Sequence, residues 1–325
     1  MTEPKVYVIT LNWNRADDTI ICVESLLRLD YSRFDIVICD NASREDSVAA
    51  LRDWGRGRGD SFSERSAVDT SIPSPRDGDA TRITLIHTGA NLGYAGGMNA
   101  GVRFALARGD CDFVWILNND TEVAGDALTE LVRRARSDDR IGICGSSLVY
   151  YEDRRKMQAY GGSSYVPWRG RSRAIGAFTD VGSIPVDPAV VESQMAYVIG
   201  ASMLVSRCFL NTVGLMDESY FLYSEEHDWA ERGRSSFRLG YAPKSIVYHK
   251  HGATIGTNPS GGSEISLFYL YRNKIVFAAR HHPLLLPTVI ASVVWEAFKF
   301  FLKGHPRKGR AILRGVLAWP ARRSF

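Results

Sequence analysis

The chain has 325 residues, 45% of them hydrophobic and 23% charged, which excludes disordered, collagen-like and disulfide-stapled classes and leaves a globular protein with a sizeable core. The formal net charge of +4 is unevenly placed: no acid follows Glu296, whereas Lys299, Lys303, Arg307, Lys308, Arg310, Arg314, Arg322 and Arg323 do, so the preceding body is slightly acidic. That body is unsuited to nucleic acid, and five scattered cysteines without a CxxC pair read as reduced core residues of a cytosolic protein.

In chain order, Lys5 to Leu11 is a β-branched apolar run typical of a buried parallel strand, and too short for a signal peptide. Asp17 to Leu29 has helical spacing, and Asp35 to Cys39 is the next strand. Together they predict a right-handed βαβ unit whose ligand lies beyond the carboxyl ends of the strands, where Asn12, Asn14, Asp40 and Asn41 fall. Gly55 to Ala80 is polar and aperiodic, an expected insertion loop. Thr81 to His87 and Asp112 to Leu117 read as strands around a helix from Asn99 to Ala107, completing an alternating nucleotide-binding half. Ala159 to Pro188 suggests acceptor-side loops, and Met195 to Val205 a strand.

Leu284 to Leu302 is mostly apolar but broken by Pro287, Glu296 and Lys299, so it makes a poor membrane span. Its aromatic residues Trp295, Phe298, Phe300 and Phe301, with the basic residues that follow and Leu313 to Trp319, fit an interfacial helix on anionic lipid. The alternative is a helix packed on the body or on the second copy of a homodimer.

Four stretches could carry chemistry. Asp40, at a strand end, suits a ribose hydroxyl or a base N–H, or merely caps a helix. Asn91-Leu-Gly-Tyr-Ala-Gly-Gly-Met-Asn-Ala-Gly leads into a helix, so its N–H groups could hold a diphosphate, or its glycines could pack that helix closely on the sheet. Asn118-Asn119-Asp120 ends an apolar strand, and a carboxylate there suits Mg2+ or Mn2+ unless the segment is only a turn. Glu225, Glu226 and Asp228 crowd beside aromatics, which raises at least one carboxyl toward the range of a general base. His249 and His251 flank Lys250 after another strand, as structural residues or metal ligands.

The ordered stretches ITLNWNR, ICDNASRED, NLGYAGGMNAG, WILNNDTEV, GASMLVSR, VGLMDESYFLYSEEHDWAER and IVYHKHGAT, with FYLYRNKIVFAARH after them, resemble the inverting glycosyltransferase family 2, especially its rhamnosyltransferase-like branch. The resemblance implies an α/β GT-A fold over residues 1–282 (a nucleotide-binding half to 120, an acceptor half to 282), followed by a helical tail over 283–325. It implies a dTDP- or UDP-linked sugar donor, Mg2+ or Mn2+, and a glycan or polyprenyl-diphosphate-linked acceptor at the cytoplasmic face of a membrane. On this reading Asn12 and Asp40 meet the nucleoside, Asn91, Gly93, Gly97 and Asn99 line the diphosphate, and Asp120 and His249 hold the metal, Asn118 replacing the family's first acid. Glu226 takes the place of the base, with Glu225 and Asp228 as stand-ins, and Arg272 and Asn273 match a pair that serves an anionic acceptor or a structural bond. A catalytically silent nucleotide-sugar-binding module is the rival from another class. A sugar nucleotidyltransferase is a further one, although LNWNRADD lacks the Gly-rich basic loop it needs after the first strand.

Overall fold

In the computed structural model, which describes residues 3–67, 82–183, 186–250 and 262–319, strand β1 (Val6–Asn12) is buried along nearly its whole length, as a strand covered on both faces must be. Helix α1 (Ala16–Leu26) returns the chain to β2 (Phe34–Asp40), which pairs parallel to β1 and sets Asn12 opposite Asp40. Helix α2 (Glu45–Arg56) leads to β3 (Phe62–Ser66), parallel to β4 (Ile83–His87). Strand β3 corrects the expectation of a structureless insertion: the Phe62 ring packs where a Cβ on Gly55 would be, 2.3 Å away, and Arg52 hydrogen-bonds Glu64 at 2.8 Å. The remainder of that insertion, 68–81, lies outside the described residues.

Helix α3 (Gly93–Ala107) begins at Gly93 rather than Asn99. Strand β5 (Phe113–Leu117) then pairs parallel to β1 on the side away from β2. The order of strands therefore reverses at β1, and the crevice beyond the carboxyl ends of β1 and β5 is where such sheets bind ligands.

The second half adds β6 (Thr121–Val123), α4 (Ala127–Ala135), β7 (Ile141–Tyr150), β8 (Met157–Tyr160), β9 (Gly162–Val166) and β10 (Arg171–Ala174). It continues with α5 (Pro188–Glu192), β11 (Tyr197–Val198), β12 (Ser202–Ser206), α6 (Arg207–Val213), α7 (Glu225–Gly233) and β13 (Arg238–His249). Among the described residues the main sheet runs β3-β4-β2-β1-β5-β12-β7-β13-β6, with β8 beside β7. A small antiparallel sheet, β10-β9-β11, stands where only loops were expected; Gly170, at φ +58°, closes the β9–β10 turn in a conformation glycine adopts without strain. The expected strand from Met195 to Val205 is thus two short ones, shared between the two sheets.

Three helices end the described chain: α8 (Glu264–His281), α9 (Leu286–Leu302) and α10 (Pro306–Ala318). Leu267 and Ile275 of α8, Val289 and Val293 of α9, and Ile312 of α10 share one hydrophobic cluster, so the boundary expected at residue 282 cuts through packed side chains. Gly315 lets α10 lie directly on α8, since a Cβ there would stand 2.8 Å from the Phe268 carbonyl oxygen. The tail is therefore docked on the body, yet Trp295, Phe298 and Leu302 remain 58%, 48% and 69% exposed. By length and composition alone, Pro283–Leu302 could cross a membrane, with a mean hydropathy of 1.6.

Candidate active site

Register brings the two candidate metal ligands together. Strand β13 runs antiparallel to β6 with His249 opposite Thr121, which places the imidazole beside Asp120, with His249 Nε2 3.2 Å from a carboxylate oxygen. Gln158 Oε1 lies 2.9 Å from Nδ1, and a partner there that accepts from Nδ1 would leave Nε2 as the nitrogen available to a metal beside Asp120. A buried carboxylate and an imidazole oriented from behind fit a divalent ion such as manganese as two of its ligands. Among the described residues no group of three or more His, Cys, Asp or Glu gathers for such an ion. Gln158 carried no signal in the sequence, and His251 lies outside the described residues.

Asp40 is 2% exposed and accepts hydrogen bonds from Asn12 Nδ2 at 2.9 Å and the Ser43 amide at 3.2 Å. Burial would raise this carboxyl, but hydrogen bonds from His87, Ser43 and Asn12 outweigh it and hold Asp40 below the ordinary range. Asn12 is fully buried, its amide shared among Asp40, Ser43 and Ser47 and its Oδ1 taken by Thr19. Asn14, in the left-handed region at φ +57°, accepts the Arg44 amide at 2.7 Å. Asn12 and Asn14 thus both bond to the loop that follows Asp40.

Much of the glycine-rich stretch fits the packing reading. The first N–H groups of α3 are already used: Leu92 donates to Asn41 Oδ1, Gly93 to Asn91 Oδ1 and Tyr94 to the Phe221 carbonyl, at 3.0, 3.0 and 2.6 Å. A Cβ on Gly97 would lie 2.4 Å from Leu11 Cδ1, so this glycine seats the helix on the sheet. Asn99 is fully buried and tied to the Met216 backbone on both sides of its amide. Asn119 likewise donates to Thr19 Oγ1 at 2.9 Å. Asn118 stays in the crevice, accepting from the Tyr94 hydroxyl at 3.2 Å, with its Nδ2 3.4 Å from His249 Nε2.

The acidic cluster divides. Asp228 accepts from Arg232 at 2.8 Å, from His281 at 2.8 Å and from the Tyr220 hydroxyl. Burial raises this carboxyl too, but the bonds from His281 and Arg232 outweigh it and keep Asp228 low, so it is a structural ion and not a stand-in base. Glu225 and Glu226 differ: one oxygen of each is inaccessible and has no hydrogen-bond partner among the described residues. Burial pushes Glu226 up to about 7, and burial plus the Glu226 charge pushes Glu225 well above its ordinary value. Burial followed by the charges of Glu225, Glu226 and Asp120 also raises Tyr94, so a single phenol lies within electrostatic reach of both halves of the site. His227 stacks between Tyr197 and Phe277, and burial lowers it to about 3, leaving it neutral.

Three residues just before Glu225, namely Phe221, Tyr223 and Ser224, have φ of +36°, +70° and +73°, a conformation costly for non-glycine residues. Asn273, fully buried, holds it by donating to the carbonyls of Tyr220, Leu222 and Tyr223, at 2.7 Å for Leu222. Arg272 donates to Asn273 Oδ1 at 2.7 Å and to the Ser219 carbonyl. Of the two readings left open for this pair, these hydrogen bonds match the structural one.

This α/β sheet, with its ligand crevice at the reversal of strand order and a second half bearing the acids, is the fold of GT-A glycosyltransferases. The chain belongs to Glycosyl transferase family 2, whose family model matches residues 7–186, and it is a glycosyltransferase. It is similar to the N-acetylglucosaminyl-diphospho-decaprenol L-rhamnosyltransferase of Mycobacterium tuberculosis, 26% identical over 217 residues that cover 62% of this chain and 68% of the relative. The low-salt glycan biosynthesis hexosyltransferase Agl10 of Haloferax volcanii is 26% identical over 155 residues, 47% of this chain and 46% of that one. In fold, the chain resembles the mannosyltransferase PcManGT of Pyrobaculum calidifontis, solved with GDP-Man and Mn2+, at a TM-score of 0.57 and 15% identity, covering 98% of this chain and 88% of that one.

Proposed function

We propose that the protein transfers a sugar, with inversion, from a nucleoside-diphosphate donor to a hydroxyl of a lipid-diphosphate-linked glycan at the cytoplasmic face of a membrane. The observation that carries this reading is the pairing of an oriented Asp120–His249 ligand pair with the raised carboxyl of Glu226, joined through Tyr94. Rhamnose is the sugar favoured by the mycobacterial relative, whose name gives both that sugar and a diphospho-decaprenol acceptor. The Pyrobaculum structure, holding GDP-Man and Mn2+, supports a nucleotide sugar and a divalent ion as the occupants.

Asp120 and His249 would hold Mn2+ or Mg2+, which when bound offsets negative charge on the diphosphate leaving group. Asp40 lies where the nucleoside would be read. On the other side Glu226 takes the proton of the acceptor hydroxyl as that oxygen bonds the anomeric carbon and the bond to the diphosphate breaks. The burial that raises Glu226 brings it close to neutral pH, where a base is both ionised and basic enough.

The unmutated chain is expected to hydrolyse a thymidine- or uridine-diphosphate sugar slowly in manganese, and to release nucleotide faster when a prenyl-diphosphate-linked acceptor sugar is added. Clean binding without turnover in either case would favour the silent binding module instead. Membrane attachment rests on the exposed apolar edge of α9 and on the basic side chains of α10. Trp295→Ser with Phe298→Ser is expected to reduce co-sedimentation with anionic vesicles by about tenfold or more at an unchanged melting temperature, both side chains being half exposed. Unchanged sedimentation would remove the membrane from this proposal.

A further inference from the structure

Glu226 also lines a cavity of about 280 Å3, together with Tyr165, Arg171, Tyr197, Lys274 and Phe277. Arg171 comes from β10 of the small sheet and Lys274 from the middle of α8, so two cations from separate elements face one space beside the base. Neither forms an ion pair among the described residues: Glu296, whose charge Lys274 feels, is bonded to Lys299 at 2.7 Å. The Lys274 ammonium lies 4.6 Å from the centroid of the Tyr271 ring, and burial, with Arg171 adding to it against Glu296, lowers it to about 8. The Tyr165 hydroxyl is buried without a hydrogen-bond partner among the described residues. Lys274, desolvated without an ion pair, and the idle Tyr165 hydroxyl favour an anion in the cavity, and the exposed Arg171 adds its charge from the side.

We propose that this cavity is an anion subsite which takes the diphosphate of the acceptor's lipid carrier, so that the adjoining sugar presents its hydroxyl to Glu226. The inference rests on the transfer reading above and adds to it the groups that recognise the acceptor. The volume, just under the roughly 300–1,000 Å3 of drug-sized ligand pockets, suits a headgroup and excludes an oligosaccharide. Gly170, at the rim, packs against α9, where a Cβ would stand 3.0 Å from Val289 Cγ1. A hydrocarbon chain leaving the cavity there meets the helix that exposes Trp295 and Phe298.

Calorimetric titration of geranyl diphosphate into the full chain in EDTA, which takes the donor-site cation out of the comparison, reads this subsite directly. Binding is expected to weaken by about tenfold or more in Lys274→Met and in Arg171→Met, to persist in Lys274→Arg, and to be unaffected by Asp120→Asn. Arg171 is exposed, so its variant keeps the test open should Lys274→Met fail to fold. Undiminished binding in a folded methionine variant would overturn the subsite. Displacement of geranyl diphosphate by excess uridine or thymidine diphosphate would assign the diphosphate to the donor crevice, and equal affinity for inorganic diphosphate would overturn its lipid-linked source. The transfer reading is judged separately, by donor hydrolysis in the unmutated chain, so either can fail alone.

Discussion

Replacing Glu226 with Gln is expected to lower turnover by roughly 10²-fold or more, the usual contribution of a positioned general base, while leaving donor affinity largely intact. Glutamine keeps the shape and loses the proton acceptor, so the deficit should fall on kcat. In the unmutated chain the base must be ionised, and burial has pushed Glu226 up to about 7. The rate should therefore climb as pH rises through about 7 and level off above it, and the residual rate of the variant should lose this step. Glu225→Gln tests the neighbouring carboxyl by stability. A carboxyl raised in the folded state binds more protons folded than unfolded between its ordinary value and its raised one, so ionising it costs stability as pH rises. Glu225→Gln should accordingly raise the melting temperature at pH 8 by about 2–4 °C and have no such effect near pH 4. A full rate in Glu226→Gln with a lost rate in Glu225→Gln would transfer the role of base to Glu225.

Asp120→Asn is expected to weaken donor binding in manganese by at least about tenfold and to change nothing in EDTA, where only metal-independent contacts remain. The substitution leaves His249 alone on the ion. Gln158→Leu should act in the same direction by releasing the His249 tautomer, a change that typically costs roughly 10–100-fold in metal affinity. Donor titrations monitored by tryptophan fluorescence, with and without manganese, separate these cases. An unchanged manganese titration in Asp120→Asn would remove Asp120 from the metal site.

How much of the site was legible depends on whether a residue's role is local. Asp120 could be placed at a strand end because an apolar run stops there, and Glu225, Glu226 and Asp228 stood out as a group because acids crowd beside aromatics, Glu226 being singled out by the family resemblance. The packing of Asn91 to Gly101 depends on a non-local contact that no local pattern showed: the Phe221 carbonyl, far along the chain, occupies the Tyr94 amide. Arg272 and Asn273 could not be told from acceptor ligands until the strained turn before Glu225 was seen to need their hydrogen bonds. Asp228 resembled a base only while His281 and Arg232 were out of view.

The alternation of apolar strands and periodic helices, and the residue types at the strand ends, already determined the α/β class, the sheet-edge crevice and the candidate acids, because periodicity and strand termination are properties of neighbouring residues. Which polar side chains face a ligand and which are consumed as fastenings was decided only by tertiary structure. A hydrogen-bonding group spent on a backbone partner a hundred residues away has nothing left for substrate, and no local pattern records where that partner lies. The same holds for Lys274 and Arg171, ordinary charges in the sequence that become a site only where folding leaves both facing one cavity, neither in an ion pair among the described residues.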